Sequence, residues 1–400
     1  MKLFCFLLLF IIWYPTAKIS AEIFQFYMTD KTLKVNTDYI EWDKLENKII
    51  TQERDISSQN ILCKNIVEIS GKQPTISKDD TKLILGDNSV LYGHITNGTP
   101  RSIIWESPTL GNIEIELTQL KEIVWQEIES QHHLDMDCLY FKNGDTLEGL
   151  IESVGQGIVT IEHKHLGNQK EYFENLAKIV FVPLDFNIEK NKIKGMSIIG
   201  ILQDFSFIHG NILNITNDGV TILTSFIKHP LLLPWNKISN ILFESNEFIY
   251  ISDLDEELYH IKYTPYFNVT FPAKKDKNQQ GGSIVLNNRY FYKGWGVCSR
   301  TEIIIQLQRK FQRFQCTVGL DDSVLQAYAK NSTMIGGNVN IQVWTDSILS
   351  YHSEEFTIFN KPVELDIDIR NVYTLKLLVD FGENAHVHDF VNWAGARLIR

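Results

Sequence analysis

Residues 82–126 recur as residues 138–182, without a gap, at an offset of 56. The offset carries Gly93 onto Gly149, Leu91 onto Leu147, Ile95 onto Ile151 and Glu106 onto Glu162. It also carries Leu110-Gly-Asn112 onto Leu166-Gly-Asn168, and Ile123-Val124 onto Ile179-Val180. A third copy begins near Ile198, with Gly210, Ile212, Val220 and Ile222 in the places of Gly149, Ile151, Val159 and Ile161. A decayed fourth copy precedes them, ending in Cys63-Lys-Asn-Ile-Val67.

Each copy has one grammar. A polar turn such as Lys142-Asn-Gly-Asp145 leads into an alternating run with an internal glycine, Leu147-Glu-Gly-Leu-Ile151. A β-rich run follows, then Leu-Gly-Asn, then a short run ending in Ile-Val. Turn residues between alternating runs are a hairpin signal. A glycine inside such a run marks a bend or bulge in a small curled sheet. The pattern predicts small all-β modules in series over 22–80 (degenerate), 82–130, 137–185 and 194–246. No chemistry-bearing constellation falls within them, so their expected role is that of a spacer or contact surface.

Hydrophobic residues at 44% and charged residues at 22% place the chain among globular proteins. The 38 basic and 49 acidic side chains give a net charge of −11, and no Lys/Arg stripe interrupts the acidic balance. A phosphate backbone is repelled by such a surface, which argues against nucleic acid as a partner. The start reads as an export signal over residues 1–21: Lys2, then the apolar stretch Leu3–Tyr14, then Ala21 before Glu22. That stretch falls short of the roughly 20 residues a membrane span needs, so no span is expected in the mature chain. The expected location is secreted, periplasmic or at the cell surface.

Cys63, Cys138, Cys298 and Cys316 fit neither a zinc pattern nor a redox pair. A Cys298–Cys316 disulfide and buried free thiols are both open, the second being the simpler. Gln131-His-His-Leu-Asp-Met-Asp137 carries His and Asp but no ligand frame, and reads as a solvated connector. No nucleophile elbow, P-loop, dinucleotide fingerprint or HExxH is present, so an enzyme is not expected.

Beyond Phe248 the alternation becomes clean. Val363, Leu365, Ile367 and Ile369 share one face of a strand, as do Leu375, Leu377, Val379 and Phe381. Phe314, Cys316, Val318 and Leu320 form a third such face. Several strands of this kind imply a β-sandwich filled from two inner faces, over residues 248–400.

This segment resembles the NPCBM family of carbohydrate-binding modules. The resemblance rests on Tyr250-Ile-Ser-Asp-Leu254, Thr264-Pro-Tyr-Phe267, Tyr292-Lys-Gly-Trp-Gly-Val297, Gly319-Leu-Asp-Asp322 and Asn392-Trp-Ala-Gly-Ala-Arg-Leu398. It implies a jelly-roll sandwich related to galactose-binding folds, and a glycan or polysaccharide partner. Other exported proteins are the partners under an alternative structural or assembly role. The chain departs from the family pattern at Cys298, at Phe390-Val391 and at Asn392, where polar or acidic residues are usual.

Sugar sites need an aromatic plate for the ring's C–H face and planar polar groups for its hydroxyls. Trp295, between two glycines in an expected loop, and Trp393, opposite Ala394, Ala396 and Leu398 in the alternation, are the predicted plates. Arg300, Asp389 and Asn392 are the predicted polar partners. Trp344 is expected on the face opposite Val339, Ile341 and Val343. Asp321-Asp322 is either a structural calcium site, by its oxygen donors, or a turn cap, the simpler reading. No other cofactor is expected.

Overall fold

The computed structural model describes residues 22–30, 32–37, 39–52, 59–75, 81–128, 135–182 and 196–400. The expected export signal and residues 131–134 of the His/Asp stretch lie outside them. The described residues are almost entirely β, with one α-helix, Asp322–Lys330.

Four copies of one unit precede the sandwich. Each closes with a 3-10 turn leading straight into a buried strand. These are Cys63–Asn65 into Ile66–Ser70, Leu117–Gln119 into Leu120–Val124, Phe173–Asn175 into Leu176–Val180, and Trp235–Lys237 into Ile238–Phe243. The decayed first copy keeps the same ending, because closing-strand residues such as Ile66 and Ile69 are fully or almost fully buried.

The repeat glycine is a corner. Thr146–Gly155 pairs with Asp137–Phe141 up to Gly149, then pairs with Ile158–His163. A Cβ on Gly149 would stand 2.4 Å from the Glu162 carbonyl oxygen. At Gly93 the matching distance, to Glu106, is 2.1 Å, and at Gly210, to Leu223, it is 2.9 Å. The strand folds back so closely over its neighbour that no side chain fits between them.

The copies are not beads in series. Closing strands pair with each other, Leu120–Val124 with Leu176–Val180 and Ile66–Ser70 with Ile238–Phe243, so the second copy joins the third and the first joins the fourth. A single Phe207–Val90 pairing links the two pairs into a sheet of 16 strands. One hydrophobic core runs through all four, from Phe26 to Phe243. A module whose apolar face is only partly closed hides the remainder against a partner.

The C-terminal sandwich has two sheets. One holds Lys274–Lys275, Gly294–Val297, Val391–Ile399, Arg313–Leu320 and Val363–Asp368, with Phe248–Tyr250 beside Val391–Ile399. The other runs Tyr259–Tyr263, Thr301–Gln306, Thr374–Phe381, Asn338–Thr345 and Ile348–Thr357. The faces read from alternation meet between them: Phe314, Cys316, Val318, Leu320, Leu365, Ile369, Leu375, Leu377 and Val379 share one core. Trp344 lies on the outer face, where the Lys376 ammonium sits 4.8 Å from its ring.

The sandwich is docked on the repeats rather than tethered to them. Phe207 and Tyr292 meet with ring centres 5.5 Å apart, and Phe205 and Tyr290 at 5.4 Å. Val67 packs with Phe248, Tyr250 and Ile399. Arg289 pairs with Glu68 at 3.0 Å, and the Gln315 amide donates to the Thr29 carbonyl at 2.9 Å. The expected spacer is thus half of a continuous body.

Candidate functional site

The predicted tryptophan plates are corrected by the structure. Trp295 is 5% exposed and Trp393 is fully buried. They are cross-strand partners inside the sandwich, in Gly294–Val297 and Val391–Ile399. The glycines flanking Trp295 mark a strand pressed against its neighbours instead of a loop: a Cβ on Gly294 would lie 2.3 Å from the Trp393 carbonyl oxygen. Alternation misplaced Trp393 because the strand bulges. Gly395 takes φ +56 and the pairing slips there, so Val391 and Trp393 face the core before the bulge, and Ala396 and Leu398 after it.

Asn392 is also interior. Its amide donates to Asp321 Oδ2 at 2.6 Å. Asp321 accepts further from Asn278 Nδ2 and from the Ser323 and Val285 N–H groups, and caps the helix Asp322–Lys330. Asp322 accepts from the Asn287 and Asn288 N–H groups at 2.8 and 2.7 Å. All four carboxylate oxygens accept from N–H donors, and the pair works as a cap, the simpler of the two readings. Among the described residues, no group of three or more His, Cys, Asp or Glu is arranged to hold a metal ion. Asp137 likewise ties backbone, accepting from Ile151 and Val182.

Among the described residues, Cys63, Cys138, Cys298 and Cys316 are buried free thiols. Burial pushes Cys63 and Cys298 up to about 12.

What the fold exposes instead is an aromatic rim at one end of the sandwich, built from two loops. The loop after Tyr259–Tyr263 carries Tyr266 and Phe267, which are 56% and 62% exposed. Their rings stand 4.9 Å apart, edge to face. Tyr266 packs on Phe381 at 5.4 Å and Phe267 on His386 at 5.8 Å. Phe271 touches both His386 and Phe390, at 5.3 and 6.4 Å. Phe381 continues the core alternation of its strand but stands past the end of the core, so it serves the rim.

Arg300 and Asp389, two of the predicted polar partners, are at this end. The Arg300 side chain is 39% exposed, with Nε 3.6 Å from Asp380 Oδ1, and its carbonyl accepts from Thr264 N–H at 2.9 Å. Asp389 is buried beneath the rim. It accepts from Ser299 Oγ and, at 3.0 Å, from Asn338 N–H. Burial pushes its carboxyl up to about 7. His388 Nδ1 donates to the Ile335 carbonyl at 2.8 Å, which fixes the ring at the rim's other edge.

Two departures from the family pattern lie here, apart from the interior Asn392: Cys298 donates its thiol to the His386 carbonyl, and Phe390 supplies a ring between Phe271 and His388. Sequence reasoning counted Tyr266 and Phe267 in the family resemblance but did not assign them to the site. The run Tyr263 to Phe271, with its aromatic residues and two prolines nearby at 265 and 272, was the available signal.

No curated protein matches the chain. Among solved structures, CBM51 from Clostridium perfringens GH95 in complex with methyl-galactose is 22% identical, with a TM-score of 0.32, over 38% of this chain and 99% of that one. The CBM51-2 and INT domains from Clostridium perfringens ZmpB are 19% identical, with a TM-score of 0.33, over 60% of this chain and 43% of that one. The tandem CBM51 modules of Sp3GH98 from Streptococcus pneumoniae are 13% identical, with a TM-score of 0.32, over 80% and 87%. The description NPCBM/NEW2 domain matches residues 249–399, the sandwich whose core and rim are given above. Residues 249–399 are an NPCBM/NEW2 domain.

Proposed function

We propose that this protein binds a glycan on the aromatic rim of its C-terminal sandwich, without catalysis and outside the cytoplasm. The observation that carries the reading is the pair of open rings, Tyr266 and Phe267, supported from below by Phe381 and His386 and flanked by Arg300 and Asp380. Rings held by other rings lose little freedom on binding, and a planar guanidinium beside them suits vicinal hydroxyls. The NPCBM/NEW2 match supports the same ligand class. Export is supported by the apolar stretch Leu3–Tyr14. The binder reading is supported by thiols that burial holds far from the thiolate.

A second reading, an assembly protein that uses the rim for protein contact, draws on the burial of Trp295 and Trp393, which withdraws both tryptophans from any sugar. A glycan array probed with the full chain separates the two. Binding that drops at least tenfold in Phe267→Ala and Tyr266→Ala establishes the glycan site, since one stacked ring contributes about 1.5 kcal/mol. Silence from folded wild-type protein, or binding unmoved by both variants, removes the rim from sugar recognition.

A further inference from the structure

Where the sandwich meets the first repeat, a cleft of about 280 Å³ opens between Tyr27 and Glu68 on one wall and Arg289, Gln315 and Arg397 on the other. It shares no residue with the aromatic rim. Neither half of the protein has this cleft alone, because the repeat contributes one wall and the sandwich the other.

Arg397 is its distinctive member. It points away from the sandwich core, on the opposite side from Ala396 and Leu398. Burial holds its guanidinium below the usual range, yet the side chain keeps accessible surface through the cleft. Nε donates to Gln315 Oε1 at 3.1 Å and Nη1 to the Gly395 carbonyl at 3.2 Å. These engage two of the five N–H groups of a guanidinium. Among the described residues no carboxylate forms an ion pair with it.

The other charges are spoken for. Arg289 is stacked between Tyr27 and Phe291, its guanidinium carbon 3.6 and 4.2 Å from the ring centres, and it pairs with Glu68. Asp366 is held by Arg313, at 2.7 Å for one bond, and by Gln315 at 3.0 Å. Glu364 and Asp30 stand exposed at the mouth.

This lining selects a ligand by elimination. A small anion would gain Arg397 but pass two carboxylates at the mouth. A cation would meet the Arg397 guanidinium inside, which no carboxylate among the described residues pairs with. A neutral ring carrying several hydroxyls offers acceptors to Arg397 and donors to the carboxylates, with no net charge to desolvate. The volume is at the small end for ligand pockets, room for a single ring and not a chain. We propose that this cleft is a second binding site, for one neutral hexopyranose unit, formed only where repeat and sandwich are docked.

The test is calorimetric titration of the full chain with the methyl glycosides of glucose, galactose and N-acetylglucosamine, and with glucuronate. One neutral glycoside is expected to bind, at least tenfold more weakly in Arg397→Lys and in the exposed variant Glu364→Gln, and unchanged in Phe267→Ala. Melting curves of the same samples show whether Arg397→Lys remains folded, and Glu364→Gln carries the test if it does not. The proposal is overturned if no neutral glycoside binds, if glucuronate binds more tightly than all of them, or if binding is lost in Phe267→Ala alone. The last result would assign the sugar to the rim and leave the function proposed above standing.

Discussion

Trp295 and Trp393 are Cα partners on adjacent antiparallel strands, and both indoles are closed off from water. Tyr259 leans on the Trp295 ring at 5.6 Å, so the pair bridges the two sheets of the sandwich. Their work is to hold the sandwich together.

Trp393→Ala should therefore cost about 3–5 kcal/mol of stability, the usual loss for a fully buried Trp that leaves a cavity. Urea unfolding of the full chain measures this. Trp393→Phe should lose less and keep rim binding, because the rim contains no part of the indole. A Trp393→Ala protein as stable as wild type would contradict the core assignment.

The repeat corner gives a sharper contrast. In Gly149→Ala the new methyl would meet the Glu162 carbonyl oxygen at 2.4 Å, and backbone cannot swing aside as a side chain can. The expected loss is about 1–3 kcal/mol, in the range of overpacked interiors. Gly200→Ala is the control: its Cβ would meet Leu233 Cδ1 at 3.7 Å, an ordinary contact, and stability should hardly move. Equal losses from the two would show that the close approach is not what selects glycine at the corner.

Asp389 makes stability depend on pH in an unusual direction. Burial raises its carboxyl from an ordinary value of 3.8 to about 7 in the folded protein. Between these values the folded chain keeps the proton and the unfolded chain has lost it. Its contribution is therefore fully present below about pH 4, falls as pH rises toward 7, and stays flat above. Asp389→Asn resembles the protonated form and lacks that slope. Relative to wild type it should gain roughly 2–4 kcal/mol between pH 4.5 and 8. Denaturant melts of both proteins across that range check the sign, and parallel curves would refute it.

Much of the sandwich was legible because its strands alternate. Leu375, Leu377 and Val379 read as one face and occupy one core. Trp344 read as outward and is outward. The repeat register was legible to the residue, down to the glycine that turns the corner. Alternation failed where the backbone broke its own period: the bulge at Gly395 reversed the sides of the last strand and carried Trp393 inward. The glycines around Trp295 read as a loop because close packing and conformational freedom select the same residue. The helix Asp322–Lys330 went unread because it is short and buries only Val324.

By itself the sequence determined what is local and periodic: the all-β class, the repeated unit with its glycine corner, and the inner faces of the sandwich. These follow from side-chain alternation and turn chemistry, which act over a few residues. Tertiary structure decided which residues face water. Tyr266 and Phe267 on one loop lie more than a hundred residues from Phe381, at a strand end, and His386, on the loop after it, and the four become one surface only when the sandwich closes. Likewise Glu68 and Arg289 meet only when the last domain docks on the first repeat. Contacts between distant segments depend on how whole sheets pack, and no short window of sequence records that.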